Sequence, residues 1–205
     1  MKKNDTKNQL LNTVELLMNK KTIERISVNE IAATSLLTRQ TFYFHFIDKY
    51  DAVNTIYLND FKDGIARFAK EELTCEGTMI HILSMMKQKK DFYSNAFKSR
   101  GQNSLMDFMI HFNFQFHCIL HCQLRKVKSL DDSTISLIKF WSYGASSFTA
   151  NWALEGMKIP EAELANFLED QIPENIHIDA SLLTSKEWNK IQTELDTIKD
   201  TGSFL

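Results

Sequence analysis

The sequence predicts an all-α protein, with a small three-helix head at the N-terminus and a larger helical body behind it. Apolar residues recur at three- and four-residue spacing almost throughout, the period of a helix with one buried face. Six Gly and two Pro occur in 205 residues, where average usage would give roughly 25. Sheets and phosphate loops need those residues at their turns, so both lose weight. No alternating run supports a strand, and the 43% hydrophobic and 11% aromatic content is enough for a real core.

The elements follow in order. Leu10, Leu11, Val14, Leu17 and Met18 form the stripe of a first helix. Ser27 with Glu30 three residues on is a capping box, which starts a short second helix carrying Val28, Ile31 and Ala32. Thr38 caps a third helix running through about Phe44, and Asp48 with Asp51 repeats the arrangement for a fourth. The fourth carries Val53, Ile56, Tyr57, Phe61, Ile65 and Phe68 and is expected to end before Gly77. Five more are predicted over 79–90, 91–98, 104–126, 134–155 and 161–172. Their breaks fall at Gly101, at the polar stretch 129–133, and at Gly156 with Pro160. Beyond Pro173 a polar tail holds one amphipathic piece, 185–198, with Trp188, Ile191, Leu195 and Ile198.

Asn12 and Glu15 interrupt any apolar signal segment, and the most apolar stretch, 105–120, contains Asp107, His111, Asn113, Gln115 and His117. With three cysteines and no disulfide framework, the expectation is a cytoplasmic protein with no membrane association. The net charge of −2 is unevenly placed: residues 1–50 carry +3 and residues 160–205 carry −7. A basic head on an acidic body points to a polyanion partner for the head.

Residues 27–49 hold the chemistry. Two short helices joined by a tight turn, the second rich in exposed polar side chains, make a helix-turn-helix pattern. Phe42 and Phe46 can point inward while Arg39, Gln40 and Tyr43 point out. Arg matches the guanine O6/N7 edge and Gln the adenine N6/N7 edge, while Thr, Tyr, His and Lys suit phosphate oxygens. The run Ser27-Val28-Asn29-Glu30-Ile31-Ala32, then Thr38-Arg39-Gln40-Thr41-Phe42-Tyr43-Phe44-His45-Phe46-Ile47-Asp48-Lys49, resembles the DNA-binding head of the TetR family of bacterial regulators. Within that family the wording is similar to the activators of dihydroxyacetone kinase operons. The turn departs from the pattern: the family carries glycine two residues before the cap, and here Leu36 stands there.

The resemblance implies a helix-turn-helix DNA-binding domain over 1–49, a ligand-binding and dimerisation domain over 50–173, and a C-terminal tail over 174–205. It implies a homodimeric transcriptional regulator, expected to be a repressor, that binds a palindromic operator in double-stranded DNA and is switched by a small molecule. Ser27, Thr41, Tyr43, His45 and Lys49 match phosphate-contact positions, and Thr38, Arg39 and Gln40 the start of the recognition helix. The expected pocket is aromatic and methionine-rich: Phe61, Ile65, Met85, Met86, Phe92, Tyr93, Phe108, His111, Phe112, Gln115, Trp141, Ala145 and Phe148. Small residues around Gly144 let another helix approach, so Phe140, Gly144, Ser147, Asn151, Ala165, Leu168 and Ile172 are expected at the dimer interface.

His117, Cys118, His121 and Cys122 gather zinc-type ligands on one helix, but on two faces, so they cannot converge on one ion without help from His81 or Cys75. No metal and no other cofactor is expected, and no paired acid–base or nucleophile constellation suggests an enzyme. The competing readings are an activator or adaptor controlled by a protein partner, and a metal-dependent enzyme using the His/Cys helix.

Overall fold

The computed structural model describes residues 3–70, 72–101, 103–177 and 179–201, and within them all side chains except 3, 4, 75, 185 and 196–201. The described residues form ten α-helices and no strand: α1 (Lys3–Met18), α2 (Val28–Thr34), α3 (Arg39–His45), α4 (Lys49–Ala69), α5 (Cys75–Gln88), α6 (Lys90–Phe97), α7 (Leu105–Arg125), α8 (Asp132–Leu154), α9 (Glu161–Asp170) and α10 (Ser185–Thr201). Short 3-10 turns at Ile23–Arg25, Glu174–Ile176 and Ala180–Leu182 join them.

The helix starts share one local chemistry. Ser27, Thr38, Asp48, Thr74, Ser104 and Asp131 each accept a hydrogen bond from the backbone N–H three residues on, satisfying donors the helix itself leaves open. Thr74 explains why α5 starts earlier than the periodicity predicts. Its hydroxyl takes the Gly77 N–H at 3.0 Å, so Gly77 lies inside the first turn of α5 rather than in a linker. Only half of the capping box at α2 forms. Ser27 accepts from the Glu30 N–H at 3.1 Å, but the Glu30 carboxylate turns to Lys21 Nζ at 2.6 Å.

The turn between α2 and α3 is the one flagged by the missing glycine. Leu36 adopts φ +55° and is 89% exposed. The Leu37 N–H closes onto the Ala32 carbonyl at 2.9 Å, the bond that ends a helix through a left-handed residue. A branched side chain thus stands in the left-handed conformation that glycine adopts without penalty.

Leu10, Val14, Met18, Ile31 and Phe42 have no exposed surface and form the centre of the head. That core runs without a break into the body. The junction is tied by polar contacts: Asn95 Nδ2 donates to the Met18 carbonyl at 2.7 Å, and Lys89 Nζ bridges Glu15 at 3.4 Å and Asp60 at 2.7 Å. Asp60 is 5% exposed, and its other oxygen accepts from the Tyr93 hydroxyl at 2.6 Å, so this buried carboxylate is fully paired. Burial and the Asp60 charge push the Tyr93 phenol well above its ordinary pKa, keeping it a donor. Gly64 lets α4 and α5 approach closely, since a Cβ there would lie 2.8 Å from Ile82 Cγ1.

The tail is part of the body. Trp188, Ile191 and Leu195 of α10 are at most 3% exposed, with α10 packed along α7. The side chain of Ile198, expected on the same stripe, lies outside the described residues. No helix of the described residues is long and apolar enough to cross a membrane.

Candidate nucleic-acid interface and internal cavity

The candidate DNA-binding face is built by a short helix with one buried edge. Phe42 and Phe46 are 0% and 2% exposed and lie ring to ring at 5.4 Å, which fixes the rotation of α3. That rotation leaves Thr38, Arg39, Gln40 and Tyr43 exposed, with Thr41 and His45 half-buried at the edges of the same face. The Thr38 and Thr41 hydroxyls are 2.8 Å apart and bonded to each other. Ser27, at the start of α2, is exposed as well. Sequence reasoning passed over Phe44 and Ile47, which are 68% and 80% exposed. Phe44 is one turn beyond Gln40, so it shares the outward face.

Lys49 departs from its expected role. Its ammonium donates to the carbonyls of Ile23 at 2.8 Å, Glu24 at 3.3 Å and Ile26 at 2.9 Å. Three donors meet three acceptors. The lysine therefore ties the start of α4 to the loop before α2, and its protons are turned into the protein rather than toward a phosphate. The pattern match placed the lysine correctly, but only the carbonyls of a loop some 25 residues away could show what it holds.

The body holds a half-open cavity of about 170 Å³. Tyr57, Phe61, Ile65 and Phe68 of α4 form one wall, and Met79, Ile82, Leu83 and Met86 of α5 another. Met109, Asn113, Phe116, His117 and Leu120 come from α7, Trp141, Ala145 and Thr149 from α8, and Leu168 from α9. The tail adds Ala180 and Trp188 to the lining. Five expected residues therefore line it: Phe61, Ile65, Met86, Trp141 and Ala145.

The other eight do not, for reasons of helix rotation. Phe92 and Tyr93 have no exposed surface and sit in the solid core. On α7 the cavity takes positions 109, 113, 116, 117 and 120. Phe108 and Phe112 face the aromatic layer with Tyr57 instead, and His111 bonds the Asp107 carbonyl at 2.8 Å. Gln115 does not line the cavity either, and its buried Oε1 has no hydrogen-bond partner among the described residues. Met85 lies half-buried elsewhere on α5. Phe148 is 40% exposed and rests on Phe167 at 4.7 Å between ring centres. Of the residues the sequence reading missed, Asn113 and His117 were polar interruptions in an apolar helix, a readable signal. Trp188 lay on a readable stripe, but nothing local said what the stripe covers.

Their surroundings hold His117 and His121 neutral. Burial, with His121 nearby, lowers His117 from 6.5 to about 3, and its ring meets Trp141 edge to face at 4.7 Å. Burial and then the Arg125 charge lower His121 to about 4. Burial pushes the Cys118 thiol up to about 11 and raises Cys122, so both stay protonated. Among the described residues no group of three or more His, Cys, Asp or Glu gathers in reach of one ion. His81 bonds Asp63 at 2.8 Å instead, and the Cys75 side chain lies outside the described residues.

The outer faces of α8 and α9 carry exposed aromatics: Phe140 at 80%, Tyr143 at 46%, Phe148 at 40% and Phe167 at 41%. Gly144 and Asn151 are exposed beside them, and Ser147 and Ile172 half-buried. Ala165 and Leu168, expected on this face, are instead 2% and 5% exposed. They point inward, Leu168 into the cavity wall, because the apolar stripe of α9 is what holds it to α5.

Residues 74–174, about half the chain, match the family described as transcriptional regulator C-terminal region, TetR_C_8. Among solved structures, the dihydroxyacetone kinase operon activator DhaS is similar at 19% identity and TM-score 0.56, over 82% of this chain and 96% of that one. A tetR-family transcriptional regulator from Streptomyces coelicolor is similar at 15% identity and TM-score 0.53, over 96% and 90%. No curated protein matches the chain by sequence.

Proposed function

We propose that this chain, a member of the TetR family of transcriptional regulators, works as a homodimeric repressor that reads a palindromic operator and releases it when a small molecule enters the cavity. In this reading Arg39 and Gln40 reach base edges in the major groove. Ser27, Thr38, Thr41, Tyr43 and His45 set the register on phosphates, and Lys49 holds the head against α4. The exposed aromatic face with Phe140, Gly144, Ser147 and Asn151 pairs with its counterpart on a second subunit. One recognition helix reads too few bases to be selective, and two must sit ~34–36 Å apart to enter successive major grooves.

The observation that carries the reading is α4. This single helix of 21 residues is tethered to the head through Lys49 at its first residue and lines the cavity with Tyr57, Phe61, Ile65 and Phe68 further on. A ligand acts only through unequal affinity for the DNA-bound and free conformations. Pushing on the far end of a rigid helix changes the spacing of the two heads, which supplies that inequality.

The dimer is the part to test. A Cβ added at Gly144 meets nothing within 4 Å in its own protomer. Gly144→Trp is therefore expected to leave the protomer folded, to halve the mass by sedimentation, and to abolish operator binding. A monomeric variant that still bound the operator tightly would overturn the proposal.

A further inference from the structure

We propose that the cavity is built for a neutral, single-ring aromatic compound carrying one hydroxyl group, a phenol or an aromatic alcohol. This rests on reading the cavity as the effector site. The first argument is size. About 170 Å³ is close to the roughly 150 Å³ of an engineered apolar cavity that takes up benzene, so one ring fills it.

The second argument is charge. Among the described residues no Asp, Glu, Lys or Arg lines the cavity. His117 stays neutral to about 3 because of its burial, so at physiological pH no cation is present to meet an anionic ligand. A carboxylate or phosphate would enter unpaired. The walls are instead ring edges and faces: Phe61 against Phe116 at 5.1 Å, His117 against Trp141 at 4.7 Å, and Phe68 against Trp188 at 5.2 Å, all near edge-to-face. Another ring fits that geometry, and methionine sulfur adds to it.

The third argument is the polar inventory. The Thr78 and Thr149 hydroxyls donate to the Thr74 and Ala145 carbonyls of their own helices. Asn113 is held from two sides: Oδ1 accepts from the Tyr57 hydroxyl at 3.2 Å and Nδ2 donates to Ser146 Oγ at 3.0 Å. One amide proton and one lone pair are left over. His117 sits one turn further along the same face of α7, and its neutral ring offers one donor and one acceptor. Asn113 and His117 thus form a compact polar spot in a mostly apolar lining, which suits a single hydroxyl.

Trp141 and Trp188 line the cavity, whereas Trp152 donates to the Ile159 carbonyl at 2.9 Å away from it, so tryptophan fluorescence reports occupancy. The full-length protein, without DNA, is titrated with benzyl alcohol, toluene, benzoate and glycerol. Benzyl alcohol is expected to give a saturable signal, and toluene one about three- to tenfold weaker, the worth of one hydrogen bond. Benzoate and glycerol should give none at the same concentrations. Asn113→Leu should bring benzyl alcohol down to the level of toluene. If that variant does not fold, the four probes on the unaltered protein decide alone.

Benzoate or glycerol binding as tightly as benzyl alcohol, or no aromatic probe binding at all, would overturn the proposal. Saturable benzyl alcohol binding that leaves operator affinity unchanged would instead sink the switch and keep the ligand class. Release of the operator by a charged compound, with no aromatic binding, would do the reverse.

Discussion

The head and the body of this regulator use apolar side chains in opposite ways. In the head, Phe42 and Phe46 fill the interior so that α3 is rotated with its polar residues outward. In the body the aromatic residues stop short of filling the interior, and the gap among Phe61, Phe116, Trp141 and Trp188 is the feature of interest. Packing serves the head by completion and the body by omission. The two therefore respond differently to substitution: the head through contacts that position a surface, the body through groups that face a buried space.

The largest expected effect belongs to the body. An unfolded histidine takes up its proton near 6.5, but His117 and His121 do so only near 3 and 4 in the folded chain. Between those values the unfolded state binds more protons, so stability is fully present above about 6.5 and is lost as pH falls toward 4. Each histidine contributes a slope of up to about 1.4 kcal/mol per pH unit. Urea midpoints at pH 7.5 and 5.0 should differ strongly, and His117→Phe should remove about half of the difference, leaving the share of His121. A midpoint unchanged across that range would show that these rings are protonated in place.

In the head, Lys49→Ala should lower stability by about 2 kcal/mol, because two to three backbone carbonyls lose a charged donor. The salt dependence of DNA binding should keep its slope. A loss of about one unit of slope, with stability unchanged, would return this lysine to a phosphate. The smallest effect is a gain. Leu36→Gly should raise stability by about 1 kcal/mol, the penalty of a left-handed branched residue, with no change in operator preference. Thermal unfolding measures it, and a loss would mean that the exposed leucine makes contacts that outweigh its strain.

The same contrast explains what could be read in the sequence. The proposed DNA-binding surface is contiguous over 27–49, and one capping residue plus two phenylalanines sets its orientation, so Arg39, Gln40 and Tyr43 were legible as outward-facing. The cavity draws on five helices and the tail. A helical period says that Phe92, Phe108 and Phe112 are buried, but not whether they border solid core or empty space. Relative rotations of α4, α5, α7 and α8 decide that, and they are set by long-range contacts such as Gly64 against Ile82 and Asn113 between Tyr57 and Ser146. The partner of Lys49 was hidden for the same reason.

The central claim is that the face carrying Arg39 and Gln40 reads DNA sequence. Fluorescence anisotropy with a labelled duplex from the protein's own upstream region, against a shuffled duplex of equal length, tests it most directly across a range of salt. The account predicts tight binding to the upstream duplex that weakens steeply with salt. Arg39→Ala or Gln40→Ala should cost about 1–3 kcal/mol on that duplex and little on the shuffled one. Equal affinity for both duplexes, with neither substitution changing it, would contradict the account.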